Sequence, residues 1–536
     1  MPWRDAVALL VLALIVRTAA ALLVDTAPYT DPAYYTVVAS QIASGHGFTT
    51  PVLWSFLEVG GRLPAEPMLP VASNGHWMPL TSLVSVPFVA LLGDALGTWR
   101  AAQAPHVLLS ALLVPLTYLV GWDLWRSRSV AWGGALLALL AGPLLVYYPM
   151  PANFAVFGLS GAAAVWLAIR AVRAPRPVTW LLASSLCVGV ATLARVDGPL
   201  LAVAPAVAWW LRRRELGGLA GAAGIGLACL VAFTLPVLPW LLRNVAVFGT
   251  PLPSAGGHTL WITSYNEQFS IATQPSLESY LAWGPANIVG SKLAAWGELL
   301  GRTAVLLGGL FVLPFLYGLW HQRRRAELAP FGVYWLVVFL AMGLVFTFHA
   351  PKGAYYHSAP AWLPFALPLA VASLAPMATA LGRWWRFLRR PATHRFLLVA
   401  GLVGALVLSL AGSAVVVAQW RTAVSRLDMA GTWLRARAGA DDVVMSYDPA
   451  RTWLVTGLRG VAPPFDPYPT VAQVVRAYDV DWVVVALGQG ESRDPLGLWD
   501  GASATDAEGN HPSFLPAEPA FEADGVRVYQ VSVERQ

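Results

Sequence analysis

Charge is scarce in this chain: charged residues make up 12% of its 536 residues against 57% hydrophobic ones, and the mean hydropathy is +0.58. A globule of this size cannot clothe its surface with so few charges, so a soluble enzyme is excluded and a polytopic membrane protein is expected. Lysine is nearly missing, with Lys292 and Lys352 the only two. The only cysteines, Cys187 and Cys229, both fall inside apolar runs. They read as core residues rather than a disulfide, and they fix no redox compartment. No P-loop, G-x-S-x-G elbow, C-x-x-C pair or H-E-x-x-H motif is present. ATP-driven, lipase-like, thiol and zinc-hydrolase chemistries therefore have no motif to rest on.

What the chain does have is a succession of apolar runs, each long enough to cross a hydrocarbon core of about 30 Å. About eleven spans are expected, near residues 6–24, 103–124, 130–148, 153–171, 178–194, 197–211, 217–240, 303–320, 330–348, 357–380 and 396–418. The first is read as a retained helix rather than a signal peptide, because so many others follow. Arginine collects on alternate connections, near Arg126, Arg170, Arg212, His321 and Gly382, which places those five in the cytoplasm and the N-terminus with them. That alternation holds only if the apolar stretch 80–92 lies along the outer interface instead of crossing. An odd number of spans then puts the C-terminus outside, and the expected location is the inner, cytoplasmic membrane.

Residues 1–419 thus read as an all-α membrane domain with an outer loop at 25–102, and residues 420–536 as a small α/β extracytoplasmic domain. From Arg421 onward 16 Asp and Glu stand against 10 Arg, a net of −6, so the membrane part carries +12 of the overall +6. That basic balance reflects orientation rather than nucleic acid. In the tail, helical patterns alternate with the strand-like runs VVMSY, DWVVVAL and VRVYQVSV, with an irregular stretch at 488–519.

Chemistry-bearing residues gather on the expected outer side. In YTDPAYY, Asp31 before Pro32 reads either as an N-cap with proline at N1 or as a general base for an attacking hydroxyl. In LARVDG, Arg195 and Asp197 form a helix-capping pair or, alternatively, a phosphate fork with a carboxylate that orients it or a sugar. Arg243, in PWLLRN, defies the charge bias and is read either as snorkelling or as facing an anion. Lys352, Tyr355, Tyr356 and His357, in HAPKGAYYHS, suit an anion-and-sugar surface, although an interfacial aromatic belt would also explain the tyrosines. Seven of nine histidines lie on this side, but without a metal-ligand spacing. No cofactor is required by this reading; a divalent metal is left open without support.

The order D-P-A-Y-Y, H-W-M-P-L, L-A-R-V-D-G and P-W-L-L-R-N-x-x-x-F-G-T-P, followed by a basic-aromatic loop before a proline-rich span, resembles the GT-C glycosyltransferases. More narrowly, it resembles the bacterial relatives of protein O-mannosyltransferases and of the lipid A aminoarabinose transferase. The resemblance covers about residues 1–420. It implies inverting transfer of a sugar from a polyprenyl-phosphate carrier to a hydroxyl of a glycan, lipid or protein acceptor at the outer membrane face. It makes Asp31 the catalytic base and Arg195, Arg243 and Lys352 candidates for holding the donor phosphate. His76 falls where relatives place substrate contacts, and Tyr34, Tyr35 and His258 join it as candidates. Many relatives carry Asp-Glu in the first loop; here Pro32 follows Asp31, so a second carboxylate has to come from Glu58, Glu66 or Asp197. A polysaccharide ligase of related architecture and a lipid-linked glycan flippase are the competing expectations.

Overall fold

The computed structural model describes residues 2–253, 259–486, 512, 514–516 and 518–531. Six of its helices are long and apolar enough to cross a membrane: Thr98–Trp125, Asn153–Arg173, Gly218–Phe248, Ala326–Leu344, Ala350–Leu381 and Pro391–Arg435. Several expected spans are broken. The run at 130–148 is helical only over Arg128–Leu140; Ala141 and Gly142 then take positive φ, and a short turn at Leu144–Tyr147 follows. Breaking a helix inside a bundle leaves carbonyls without N–H partners. Arg17, fully buried, donates to the freed Ala138 carbonyl at 3.2 Å and approaches that of Leu145 at 3.4 Å, with its guanidinium 4.6 Å from the Tyr148 ring centre. The span expected at 197–211 is a 3₁₀ turn, Gly198–Ala202, followed by helix Val203–Arg212. The long outer connection after 241 is also largely helical, because Gly218–Phe248 runs through Arg243 and a further helix forms over Pro285–Leu306.

Helix Leu80–Leu96 covers the stretch expected at the interface. It turns back at Gly97 (φ +77°) along Thr98–Trp125, where Ser85 meets the His106 ring at 3.1 Å. Four of the five arginine-rich connections share one end of the bundle. Asp123 pairs with Arg170 and Arg173, Arg325 donates to the Leu124 carbonyl, and Arg212 to that of Val172. Through the middle runs helix Tyr355–Leu381, buried despite four internal prolines. Neighbouring glycines let it approach: a Cβ on Gly158 would lie 2.6 Å from Pro360, and one on Gly134 2.7 Å from Pro368.

The C-terminal part is a six-stranded sheet. With β1 (Thr49–Thr50) and β3 (Val71–Ala72) forming a separate two-stranded ribbon, the order is β2 (Val52–Leu53), β5 (Arg459–Val461), β4 (Val443–Ser446), β6 (Val480–Ala486), β8 (Val526–Gln530), β7 (Phe521–Ala523). The first four strands are parallel and the last two antiparallel. Strand alternation sends Met445, Val483 and Val485 to a core with helix Tyr468–Ala477, and Val444, Val484 and Val528 to one with the end of helix Pro391–Arg435. The boundary expected at 419/420 therefore falls inside one continuous helix, and β2 comes from the outer loop. Most of the stretch 488–519 lies outside the described residues.

Candidate active site

Helix Thr30–Ala43 carries Asp31 in its first turn, where Pro32 costs no hydrogen bond. Tyr29, not Asp31, occupies the N-cap position, so the capping role expected of Asp31 is not the one it plays. Its carboxylate lines a cavity of about 350 Å³ at the bundle end opposite the arginine-rich connections, and its side chain is 25% exposed. Burial pushes this carboxyl up to about 6; the positive charge of Arg195 pulls the other way, and Asp448 adds to the rise.

The cavity wall is drawn from seven separate segments of the chain. Tyr35 stands beside Asp31. His357 approaches Asp31 Oδ2 at 3.7 Å through Nε2, with Nδ1 on Asn153 Oδ1 at 2.5 Å and its ring stacked on Phe154. Trp54 and Trp77 stack at 4.0 Å between ring centres and line another side with His76. Arg195 donates through Nε to Asp197 at 2.7 Å and approaches the Ala354 carbonyl at 3.5 Å, leaving Nη1 without a partner among the described residues. The second Asp197 oxygen accepts from Ser358 at 2.6 Å. Lys352 sits 5.8 Å from the Tyr265 ring centre, with no ion pair among the described residues. Burial brings His76 and His349 down to about 4, so both are neutral at pH 7. The cavity's positive charge therefore rests on Arg195 and Lys352.

Other expected residues lie elsewhere. Arg243 sits among Phe48, Trp240 and Phe248 and approaches the Phe48 carbonyl, outside the Asp31 cavity. Tyr34 accepts from the Asn74 N–H at 2.7 Å and donates to the buried Glu58. Tyr355 is buried against Thr303, and Tyr356 lies under Arg302. His258 falls outside the described residues. Of the candidate second carboxylates, Asp197 lines the cavity but is occupied by Arg195 and Ser358, while Glu58 and Glu66 line a separate space of about 720 Å³. Burial pushes Glu58 up to about 8, so it is neutral at pH 7. Among the described residues no three His, Cys, Asp or Glu side chains form a cluster able to hold a metal ion. Asn153, His349, Gln268 and the Trp54–Trp77 pair are cavity residues the sequence reading did not select.

A helical membrane bundle with a polar cavity at one end, closed by a small α/β module, defines the class of architecture. The same fold is found in solved structures of ArnT and of an archaeal oligosaccharyltransferase. ArnT from Cupriavidus metallidurans bound to undecaprenyl phosphate superposes with a TM-score of 0.55 at 13% identity, covering 98% of this chain and 97% of that one. The apo state of the same protein gives 0.57 at 12%, with the same coverage. The archaeal oligosaccharyltransferase AglB from Archaeoglobus fulgidus, in complex with an inhibitory peptide and a dolichol-phosphate, gives 0.56 at 11%, covering 99% of this chain and 74% of that one. No protein-family model matches the sequence, and no curated protein matches it. At these identities the likeness establishes the fold.

Proposed function

We propose that this chain is an inverting glycosyltransferase that moves a sugar from a polyprenyl-phosphate carrier to an acceptor hydroxyl at the outer face of the cytoplasmic membrane. The observation that carries this reading is one cavity holding, among the described residues, one partly exposed carboxylate, Asp31, together with two cations, Arg195 and Lys352. Asp31 takes the proton of the acceptor hydroxyl as that oxygen attacks the anomeric carbon from the face opposite the phosphate. The bond between the anomeric carbon and the phosphate oxygen breaks, and its electron pair leaves with the phosphate. Arg195, through its unengaged Nη1, and Lys352 meet the charge that develops there. A base near 6 is ionised at neutral pH yet more basic than an ordinary carboxylate, which suits this step. Undecaprenyl phosphate in ArnT and dolichol-phosphate in AglB support the carrier class.

The test is transfer by the purified protein from a panel of polyprenyl-phosphate sugars. Asp31→Asn is expected to lower turnover by about 10²–10⁴-fold while donor binding persists. Wild-type turnover in a folded Asp31→Asn protein would remove the central assignment.

A further inference from the structure

Three separate walls of the cavity are fastened to the C-terminal module. Asp448 caps helix Pro449–Thr456, accepting from the Arg451 N–H at 3.3 Å, and also accepts from the Thr30 hydroxyl at 2.9 Å. Thr30 is the residue immediately before Asp31. Arg451, itself 5% exposed, donates through Nε to the Ala27 carbonyl at 3.1 Å. Tyr29, between those two anchor points, stacks against Trp420 of helix Pro391–Arg435 at 5.5 Å. A second wall carries Trp54: β2 pairs in parallel with β5, and Ala462 N–H donates to the Leu53 carbonyl at 2.8 Å. A third is the segment Tyr265–Phe269, whose end is held where Asp466 accepts from the Ser270 hydroxyl at 2.5 Å and the Ile271 N–H at 2.7 Å.

Buried charged side chains are costly unless their partners are fixed, so this arrangement is more than incidental covering. Asp448 is 6% exposed and Asp466 3%; Asp448 gives one oxygen, and Asp466 both, to a cavity segment far away in sequence. We propose that the C-terminal module is a clamp that positions the catalytic carboxylate, with Asp448, Arg451 and Thr30 as positioning residues for Asp31. This rests on the proposed function only for the word catalytic; the mechanical claim stands by itself. Arg195, His357, Tyr29, Tyr35 and Tyr147 also face Asp31. Asp448 is the second acid in that environment and contributes its negative charge besides its hydrogen bond.

The test is hydrogen–deuterium exchange on the full-length protein in nanodiscs, read on peptides spanning residues 27–36. Asp448→Ala, Arg451→Ala and Thr30→Val are expected to speed exchange there at least about tenfold, with Thr30→Ser retaining the wild-type rate. Peptides from helix Asn153–Arg173 should be unchanged. If Asp448→Ala unfolds the module, exchange over 443–446 and 480–486 rises too, and Thr30→Val, outside the module, decides. Exchange over 27–36 within twofold of wild type in Thr30→Val overturns the clamp. In transfer assays Thr30→Val should lower kcat with the donor KM unchanged; faster exchange with unaltered kcat overturns positioning. Asp448→Asn keeps an oxygen for the Arg451 N–H and turns an Nδ2–H toward the Thr30 hydroxyl oxygen, but removes the charge, so it should leave exchange alone and move the acid limb of the pH profile to lower pH; an unmoved limb would count against a role for Asp448 beyond structure. If wild type transfers no sugar at all, the functional reading fails, and exchange alone decides the clamp.

Discussion

Replacing Asp31 by Asn is expected to make the folded protein more stable at neutral pH while removing its activity. The carboxyl rises from an ordinary 3.8 to about 6 in the folded chain, chiefly through burial. Between those values the folded state holds a proton that the unfolded state has released. The stability conferred by the neutral form is therefore complete in acid and is lost as pH rises through about 6. Above pH 7 the ionised carboxylate costs roughly 3 kcal/mol, a net figure in which the attraction of Arg195 and the hydrogen bond at the helix start are already included. Asn keeps the shape without the charge, so Asp31→Asn should gain roughly 2–3 kcal/mol at pH 8 and almost nothing at pH 4. Unfolding in mixed micelles, followed by tryptophan fluorescence at several pH values, measures both ends. A residue serving only as a helix cap predicts no gain, since Asn caps as well as Asp. Equal stability of the two proteins at pH 8, or a gap that does not close in acid, refutes the reasoning. The same group sets the acid limb of kcat/KM: at pH 5 activity should fall to about a tenth of its plateau.

Arg195→Ala and Lys352→Ala should each weaken retention of polyprenyl phosphate in native mass spectrometry by about ten- to a hundredfold, the worth of one charge-assisted hydrogen bond. Arg243→Ala, outside the cavity, should leave it intact; loss of lipid in that variant alone would move the phosphate site. Glu58, raised from 4.5 to about 8, contributes stability in its neutral form that is lost progressively as pH rises from about 4.5 to 8, so thermal melts of Glu58→Gln should decline less over that range than those of wild type. Tyr34→Phe removes the hydroxyl donor to buried Glu58 and should cost about 1–3 kcal/mol at pH 7, measured by the same unfolding assay.

Apolar content made the helical bundle legible, but not where its helices break. The break at 141–142 depends on Arg17 reaching carbonyls more than 120 residues away, which no local pattern encodes. In the site, motif proximity misled wherever it ignored side-chain direction. Consecutive residues on a helix point about 100° apart. Tyr35 therefore lines the cavity while Tyr34 faces Glu58, and His357 lines it while Tyr355 packs on Thr303 and Tyr356 meets Arg302. Arg195, Asp197 and Lys352 were readable because they sit in short connections, where an apolar chain has few reasons to keep a charge. Asp448 was not, since its partner lies 418 residues away and its local sequence explains it fully as a helix cap.

That last contrast bears on why one carboxylate suffices. A second acid near Asp31 would keep the pair from ionising together and so oppose its service as a base. Here Asp197 is neutralised by Arg195, Glu58 is neutral and behind the Tyr34 wall, and Asp448 acts from the module with its oxygens engaged by Thr30 and the Arg451 N–H. The acid thus comes from a helix start held by the C-terminal module, whereas Arg195 and Lys352 come from the ends of helices embedded in the bundle. On the proposed reading, this separation matches the two substrates. The phosphate of a lipid carrier arrives from the bundle side and meets fixed cations, and the acceptor hydroxyl arrives beneath the module and meets the base. In-line displacement with inversion requires the base and the cations to meet the sugar from opposite faces, and a donor-bound structure with Asp31 and the two cations on the same face of the sugar would refute this division of labour.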